Sequence, residues 1–432
     1  MINDTAKILS EGFDIDQSVV EYVLKHQEIV ESKFFKEIDS LKEFNQYKVI
    51  EGMQRAKLNS THFSWTTGYG YDDVGREKVE EVYSNIFRTE DALVRPTIAS
   101  GTHAINLVLS GILFPGDELV YITGAPYDTL QKVIGSKGGM KGTLIDYGVK
   151  YKELELTEKK KIDLKRIPEF VSSDTKMVAL QRSTGYSDRN AFTVEELAEA
   201  MAVVKSINPD IICMVDNCYG EFMEITEPSE HGADIMAGSL IKNPGGGLAL
   251  TGGYIVGTSE LIEYVANRAT APGIGKECGL TFGMTRNVLQ GLFLAPHIVT
   301  ESLKGSLLLA SIYESLGFKT VPKLGDKRSD IIQGIEFRSE ERLVKFCQGI
   351  QSASPVDSYF APIPGEMPGY ESEVIMAAGA FVQGSSIELS ADGPVREPFY
   401  AYYQGGLTYE HCKLGIMKSL NNLYVNNLVE LD

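Results

Sequence analysis

Two short stretches decide how the chain is read: IICMVDN at residues 211–217 and GSLIKNPGGG at residues 238–247. The first is an apolar run with strand composition, Ile211–Val215, that ends in an acid, Asp216. A carboxylate there either caps the following turn or supplies a counter-charge to a bound group. The second stretch sets Lys242 among small residues, just after a short apolar piece. Surface lysines usually keep polar, helical company. An amine in this setting reads as buried, with a lowered pKa, and able to form a Schiff base. The absence of GxxxxGK[ST] and of GxGxxG after a strand weakens a nucleotide-loop reading of the glycine run.

Outward from these pieces the chain alternates strand and helix patterns. Ala92–Pro96 is a short apolar piece that ends at a turn, and strands are expected at Glu118–Ile122, Thr143–Asp146, Met177–Gln181, Ile211–Val215 and Gly253–Val256. Helices are expected at Glu77–Phe87, Gly101–Leu113, from Thr129, and near 194–205, 258–268 and 287–316. Such alternation indicates an α/β domain with a mostly parallel sheet, whose ligands gather at the carboxyl ends of the strands. Residues 1–65 read as an N-terminal helical arm, 66–295 as the large domain and 296–432 as a smaller C-terminal α+β domain.

Composition limits the partners. The 432 residues carry a formal charge of −18 with 43% hydrophobic and 23% charged residues, which excludes general disorder. The acidity argues against nucleic acid or an anionic membrane as the main partner. The apolar runs are too short for a membrane span, and the polar start MINDTAKILSEGFDID is not a signal peptide. Five cysteines without a CxxC pair and six histidines without ligand spacing suit a reducing cytoplasm and no metal site.

Two further pieces carry chemistry. Ile98–Ala104, IASGTHA, is a small-residue turn that opens a helix. Its free N–H groups and the hydroxyls of Ser100 and Thr102 suit a phosphate, although Ser100 reads equally as a plain N-cap. Tyr127 follows a strand, where its ring could stack on an aromatic cofactor or simply pack. Cys213 reads as core, and His103 as a helix-start residue. In order, the chain offers a phosphate turn, a stacking ring, an acid at a strand end and a lysine. Pyridoxal phosphate needs each of these roles, and this is the arrangement of aspartate-aminotransferase-type (fold type I) enzymes.

With these residues in place the chain resembles the methionine gamma-lyase-like group often named aluminium resistance proteins, related to cystathionine beta- and gamma-lyases. The motifs that carry the resemblance are GYGYDDVGR at 68–76, RPTIASGTHAI at 95–105, GAPYDTL at 124–130, QRSTGYSDR at 181–189, VDNCYGEF at 215–222, GSLIKNPGGGLALTGGYIVG at 238–257 and ADGPVREPFYAYYQGGLTYEH at 391–411. The resemblance implies that Lys242 carries the cofactor aldehyde, Asp216 pairs with the ring nitrogen and Tyr127 stacks on the ring. It implies that Ser100, Gly101 and Thr102 hold the phosphate, with Ser239 adding a contact. It also implies a shared active site in a homodimer or homotetramer, to which Tyr69, Tyr71 and Arg76 would come from the neighbouring subunit. Related lyases place a carboxylate-binding arginine where this chain has Glu388, so Arg396, with Arg182 as a second candidate, is expected to grip the substrate carboxylate. The activity implied is a carbon–sulfur lyase acting on a sulfur amino acid such as cystathionine, cysteine or methionine. An aminotransferase or other amino-acid lyase uses the same Cα chemistry. A non-catalytic metal-tolerance protein on the same fold would need neither Asp216 nor Lys242.

Overall fold

The computed structural model describes residues 2–367, 370 and 372–431. The chain falls into two compact units. One contains Phe44–Gly185 and Asn190–Ala295 and is called the sheet unit. The other contains the chain up to Glu43, the short segment Tyr186–Arg189 and everything from Pro296 onward.

The opening helices are α1 (Ile2–Lys7), α2 (Gln17–Val30) and α3 (Lys36–Arg55), the last of which enters the sheet unit. There follow α4 (Val74–Phe87), β1 (Asp91–Arg95), α5 (Gly101–Ile112), β2 (Glu118–Tyr121), α6 (Asp128–Ile134) and β3 (Lys150–Glu153). Next come α7 (Ile167–Phe170), β4 (Thr175–Gln181), α8 (Val194–Ile207), β5 (Ile212–Asp216), β6 (Ile235–Ser239), β7 (Gly253–Gly257) and α9 (Ser259–Ala269). The seven strands form one sheet in the order β1-β7-β6-β5-β4-β2-β3. Only β7 runs antiparallel to its neighbours. Hence β1, β2, β4, β5 and β6 all deliver their carboxyl ends to one edge, the place where α/β sheets bind ligands.

Both faces of the sheet are covered, so its strands bury alternate residues in opposite directions. Val178 and Leu180 of β4, Cys213 and Val215 of β5, and Tyr254 and Val256 of β7 enter one core with residues of α4 and α8. Met177 and Ala179, Ile212 and Met214, and Ile255 enter the other with residues of α5 and α9. The helices are set by local chemistry. Ser100 caps α5 by accepting from His103 N–H, and Thr193 with Glu196 forms a reciprocal capping box on α8.

Two expectations along the sheet are corrected. Thr143–Asp146 is a turn, not a strand. Asp146 Oδ2 accepts from Gly142 N–H at 2.9 Å and Thr143 Oγ1 accepts from Asp146 N–H at 3.1 Å. Such side-chain bonds offer the backbone an alternative to a ladder. The strand lies later, as β3, a polar edge strand whose Lys-Tyr-Lys-Glu sequence gives little apolar signal. The strand β6 was not expected either. Its residues Ala237 and Gly238 are small because β6 is crowded: a Cβ on Gly238 would lie 2.6 Å from Glu221 Oε1.

In the second unit α10 (Thr285–Ser315), which starts in the sheet unit, is followed by β8 (Lys319–Val321), β9 (Gln333–Glu336) and α11 (Glu340–Ser352). The chain ends with β10 (Val374–Ala378), β11 (Ser390–Pro394), β12 (Tyr400–Gln404) and α12 (Tyr409–Val425). These strands form a wholly antiparallel sheet in the order β10-β11-β12-β9-β8. Tyr313, Phe318, Phe337 and Phe346 meet mostly edge to face in its core, a favoured aromatic geometry. Tyr186 stacks on Tyr402 with centroids 4.9 Å apart. Glu388 is buried and accepts from the N–H groups of Phe381 and Val382 at 2.8 and 2.9 Å, so this acid fastens backbone. Among the described residues no helix is long and apolar enough to cross a membrane.

Candidate active site

The site assembles at the carboxyl edge of the seven-stranded sheet. After β1 the chain turns through Ile98 and Ala99 to Ser100, and Gly101 opens α5. After β5, Asp216 leads into the turn 217–222. After β6, Ser239 leads within three residues to Lys242. Gly101 marks where these three segments meet. A Cβ on it would lie 3.0 Å from Cys218 Sγ, 3.5 Å from Ser239 Cβ and 3.9 Å from Lys242 Nζ. Any side chain here would take the space in front of the lysine amine, so glycine is required for room.

Tyr127 joins the same group. It precedes α6, its hydroxyl lies 2.9 Å from Thr102 Oγ1, and its N–H donates to Gln181 Oε1 at 3.1 Å. Asp216 is almost fully buried, and its Oδ1 accepts from Cys218 N–H at 3.1 Å. The structure thus brings together Ser100, Gly101, Thr102, Tyr127, Asp216, Ser239 and Lys242. His103 closes the helix start, its Nδ1 accepting from Ala99 N–H at 3.0 Å.

Burial and mutual charge set the electrostatics. Burial pushes the Asp216 carboxyl up, while the Lys242 cation and the Cys218 hydrogen bonds oppose it. For Lys242 burial works against the ammonium, but the charge of the neighbouring Asp216 carboxylate favours it, so the amine stands above the ordinary lysine range instead of being lowered as its sequence setting suggests. Tyr127 is pushed up by burial and by Asp216, so its hydroxyl keeps its proton.

Sequence reasoning missed the floor of the site. The turn 217–222 places the Tyr219 ring 4.0 Å from Lys242 Nζ. Asn243, next to the lysine, donates its Nδ2 to the carbonyls of Tyr219 and Glu221, both at 3.0 Å. Glu221 is fully buried and accepts from Tyr254 O–H at 2.7 Å, while its Oε2 has no hydrogen-bond partner among the described residues. The only available signal was the dipeptide Tyr219-Gly220 straight after Asp-Asn-Cys, which marks a tight turn.

Burial, offset in part by Tyr254 and Lys242, pushes Glu221 up to about 8. Tyr83, Tyr254, Cys218, Glu227 and Lys242 are the titratable groups that share its field. A carboxyl raised in the folded state binds its proton more tightly there than in the unfolded chain. Its contribution to stability is complete below the unfolded value near 4.5 and is lost as pH rises to about 8. Glu221→Gln is therefore expected to flatten the decline in melting temperature between pH 5 and 8. An unchanged slope would show that Glu221 ionises freely.

Other expected site residues lie elsewhere. Tyr69 and Tyr71 are 68% and 75% exposed. Arg76 is buried and donates to the carbonyls of Gly68 and Gly70, so it props the loop that presents those tyrosines. Arg182 is fully buried. It donates to Asn217 Oδ1 at 2.8 Å and pairs with Glu224 and Glu227 at 3.0 and 3.3 Å. Arg396 is exposed in the second unit, between β11 and β12.

The chain belongs to the methionine gamma-lyase family, whose model matches residues 20–424. It is 50% identical over 395 residues to "Uncharacterized protein YnbB" of Bacillus subtilis (strain 168), covering 91% of this chain and 94% of that protein. A Clostridium acetobutylicum structure described as a "putative cystathionine beta-lyase involved in aluminum resistance" superposes with a TM-score of 0.94 at 46% identity, over 98% of this chain and 100% of that one. A Clostridium novyi NT structure described as a carbon-sulfur lyase involved in aluminum resistance gives 0.92 at 46% identity, over 96% and 98%. More distant likeness to pyridoxal-5'-phosphate-dependent YhfS of Escherichia coli, with a TM-score of 0.58 at 18% identity over 89% and 96%, shows the fold type I architecture.

Proposed function

We propose that this protein is a pyridoxal-phosphate-dependent carbon–sulfur lyase that cleaves a sulfur amino acid such as cystathionine, cysteine or methionine. The observation that carries this reading is the meeting of the Lys242 amine with Ser239 and Cys218 at the glycine-opened start of α5, in the field of the buried Asp216 carboxyl. The residues fit the cofactor. The first N–H groups of α5, Ser100 and Thr102 suit its phosphate, with Ser239 beside them, because a helix start attracts anions. Gly101 leaves room in front of Lys242, which would carry the aldehyde. The Tyr127 ring would cover the pyridine, and Asp216 would keep the ring nitrogen protonated.

When bound, the cofactor supplies an electron sink for the charge left at Cα. Lys242 takes the Cα proton as general base, a role that suits an amine set over the Tyr219 ring, whose backbone carbonyl Asn243 holds. Loss of the thiol and hydrolysis then give a keto acid and ammonia. With Arg182 engaged by two carboxylates, Arg396 is the proposed partner of the substrate carboxylate. The exposed Tyr69 and Tyr71 are proposed to reach the site of a neighbouring copy in a homodimer or homotetramer.

Product analysis tests the reaction. The purified holoenzyme, given cystathionine, cysteine or methionine without a keto-acid acceptor, should release thiol and ammonia in equal amounts. Turnover only after a keto acid is added would assign an aminotransferase, and no turnover under either condition would count against an amino-acid enzyme.

A further inference from the structure

Tyr219 has a backbone φ of +69°, in the left-handed region where a bulky aromatic residue is an outlier. Phe222, three residues on, has φ +64°. Such conformations persist only where the surroundings over-determine them, and they cluster at functional sites. Here the surroundings do so. Asn243 holds the carbonyls of Tyr219 and Glu221, and Tyr254 holds the Glu221 carboxyl. Gly220 packs so closely that a Cβ would lie 2.5 Å from Arg182 Cδ. This costly backbone sets the Tyr219 ring with Lys242 Nζ 4.0 Å from its centroid. Asn243, next to the lysine, ties the Tyr219 backbone to the turn that carries Lys242.

Resting on the reading that Lys242 carries the cofactor and moves the Cα proton, we propose that Tyr219 is a positioning residue acting through Lys242, its ring face holding the freed amine and favouring the ammonium form. The step is a simple proton transfer. The Cα–H bond breaks, its electron pair stays with the substrate, and the proton forms a new N–H bond on Nζ. The negative face of an aromatic ring attracts the resulting cation and not the neutral amine. In this desolvated setting the ring is expected to raise the proton affinity of Nζ by about 10-fold. It therefore acts as the nitrogen gains charge.

The test uses the cofactor-free protein. Its lysines are acetylated with acetic anhydride across a pH series, and the Lys242 peptide is quantified by mass spectrometry against an exposed lysine. Tyr219→Leu removes the ring. Tyr219→Asn also removes it but tolerates a left-handed backbone, so it keeps the turn where leucine strains it. Both are expected to move the labelling midpoint of Lys242 down by about one pH unit, the equivalent of that 10-fold change, while Tyr219→Phe keeps the wild-type midpoint. Wild-type midpoints in the two ring-free variants would overturn the proposal. Borohydride trapping of cofactor on wild-type Lys242 separates the two readings. Trapping with unmoved midpoints sinks the role of Tyr219 alone, and no trapping sinks the lyase reading whatever the midpoints do.

Discussion

Replacing Lys242 by alanine should abolish turnover while leaving the fold intact. Positioned proton transfer alone accounts for about 10²–10⁴-fold in rate, and this change also removes the amine that would carry the cofactor. The fold should survive because Lys242 sits on a turn fixed from outside its own side chain: Asn243 anchors it to the carbonyls of Tyr219 and Glu221, and Leu240 N–H bonds the Gly252 carbonyl. Lys242→Arg sharpens the test. It preserves a positive charge beside Asp216, but a guanidinium does not give up its proton in a protein. Both variants should therefore be inactive, with melting temperatures near that of the wild type. Wild-type-like elimination by either would remove Lys242 from the chemistry.

Arg182→Met should do the opposite, lowering stability far more than it alters substrate binding. Arg182 is fully buried, and its guanidinium meets Glu224, Glu227 and Asn217. Breaking a buried pair by removing one partner leaves uncompensated charge and costs about 3–5 kcal/mol. The same arginine packs against Gly220 and so supports the turn that presents Tyr219. Denaturant unfolding should thus show a large loss in midpoint. Pairing the change with Glu227→Leu should recover part of it, because the orphaned carboxylate is then gone. A variant that folds as tightly as the wild type but shows a raised KM would return Arg182 to the role of substrate ligand.

These two residues also show how far the sequence could be read. Lys242 and Asp216 were legible because each breaks a local rule: a lysine among small residues, and an acid closing an apolar strand. Strand alternation and helix spacing placed most of the parallel sheet, since β4 and β5 are long apolar runs buried on both faces. Arg182 was ambiguous, because a buried structural arginine and a ligand arginine look alike until their partners are known. Glu224 and Glu227 lie far along the chain from it. The platform under Lys242 was hidden for a related reason. Left-handed φ at Tyr219 and Phe222 runs against residue preference and arises from tertiary contacts with Asn243 and Tyr254. The small residues of β6 and the polar edge strand β3 carried too little apolar pattern to be read as strands.

The most direct test is the visible spectrum of the purified protein before and after borohydride, with mass spectrometry of the peptide containing Lys242. The expected result is a band at roughly 420 nm that borohydride removes, leaving the cofactor mass on Lys242, as this cofactor's lysine linkage requires. No band and no mass on Lys242 after addition of pyridoxal phosphate, or the mass on another lysine, would contradict the assignment of this site.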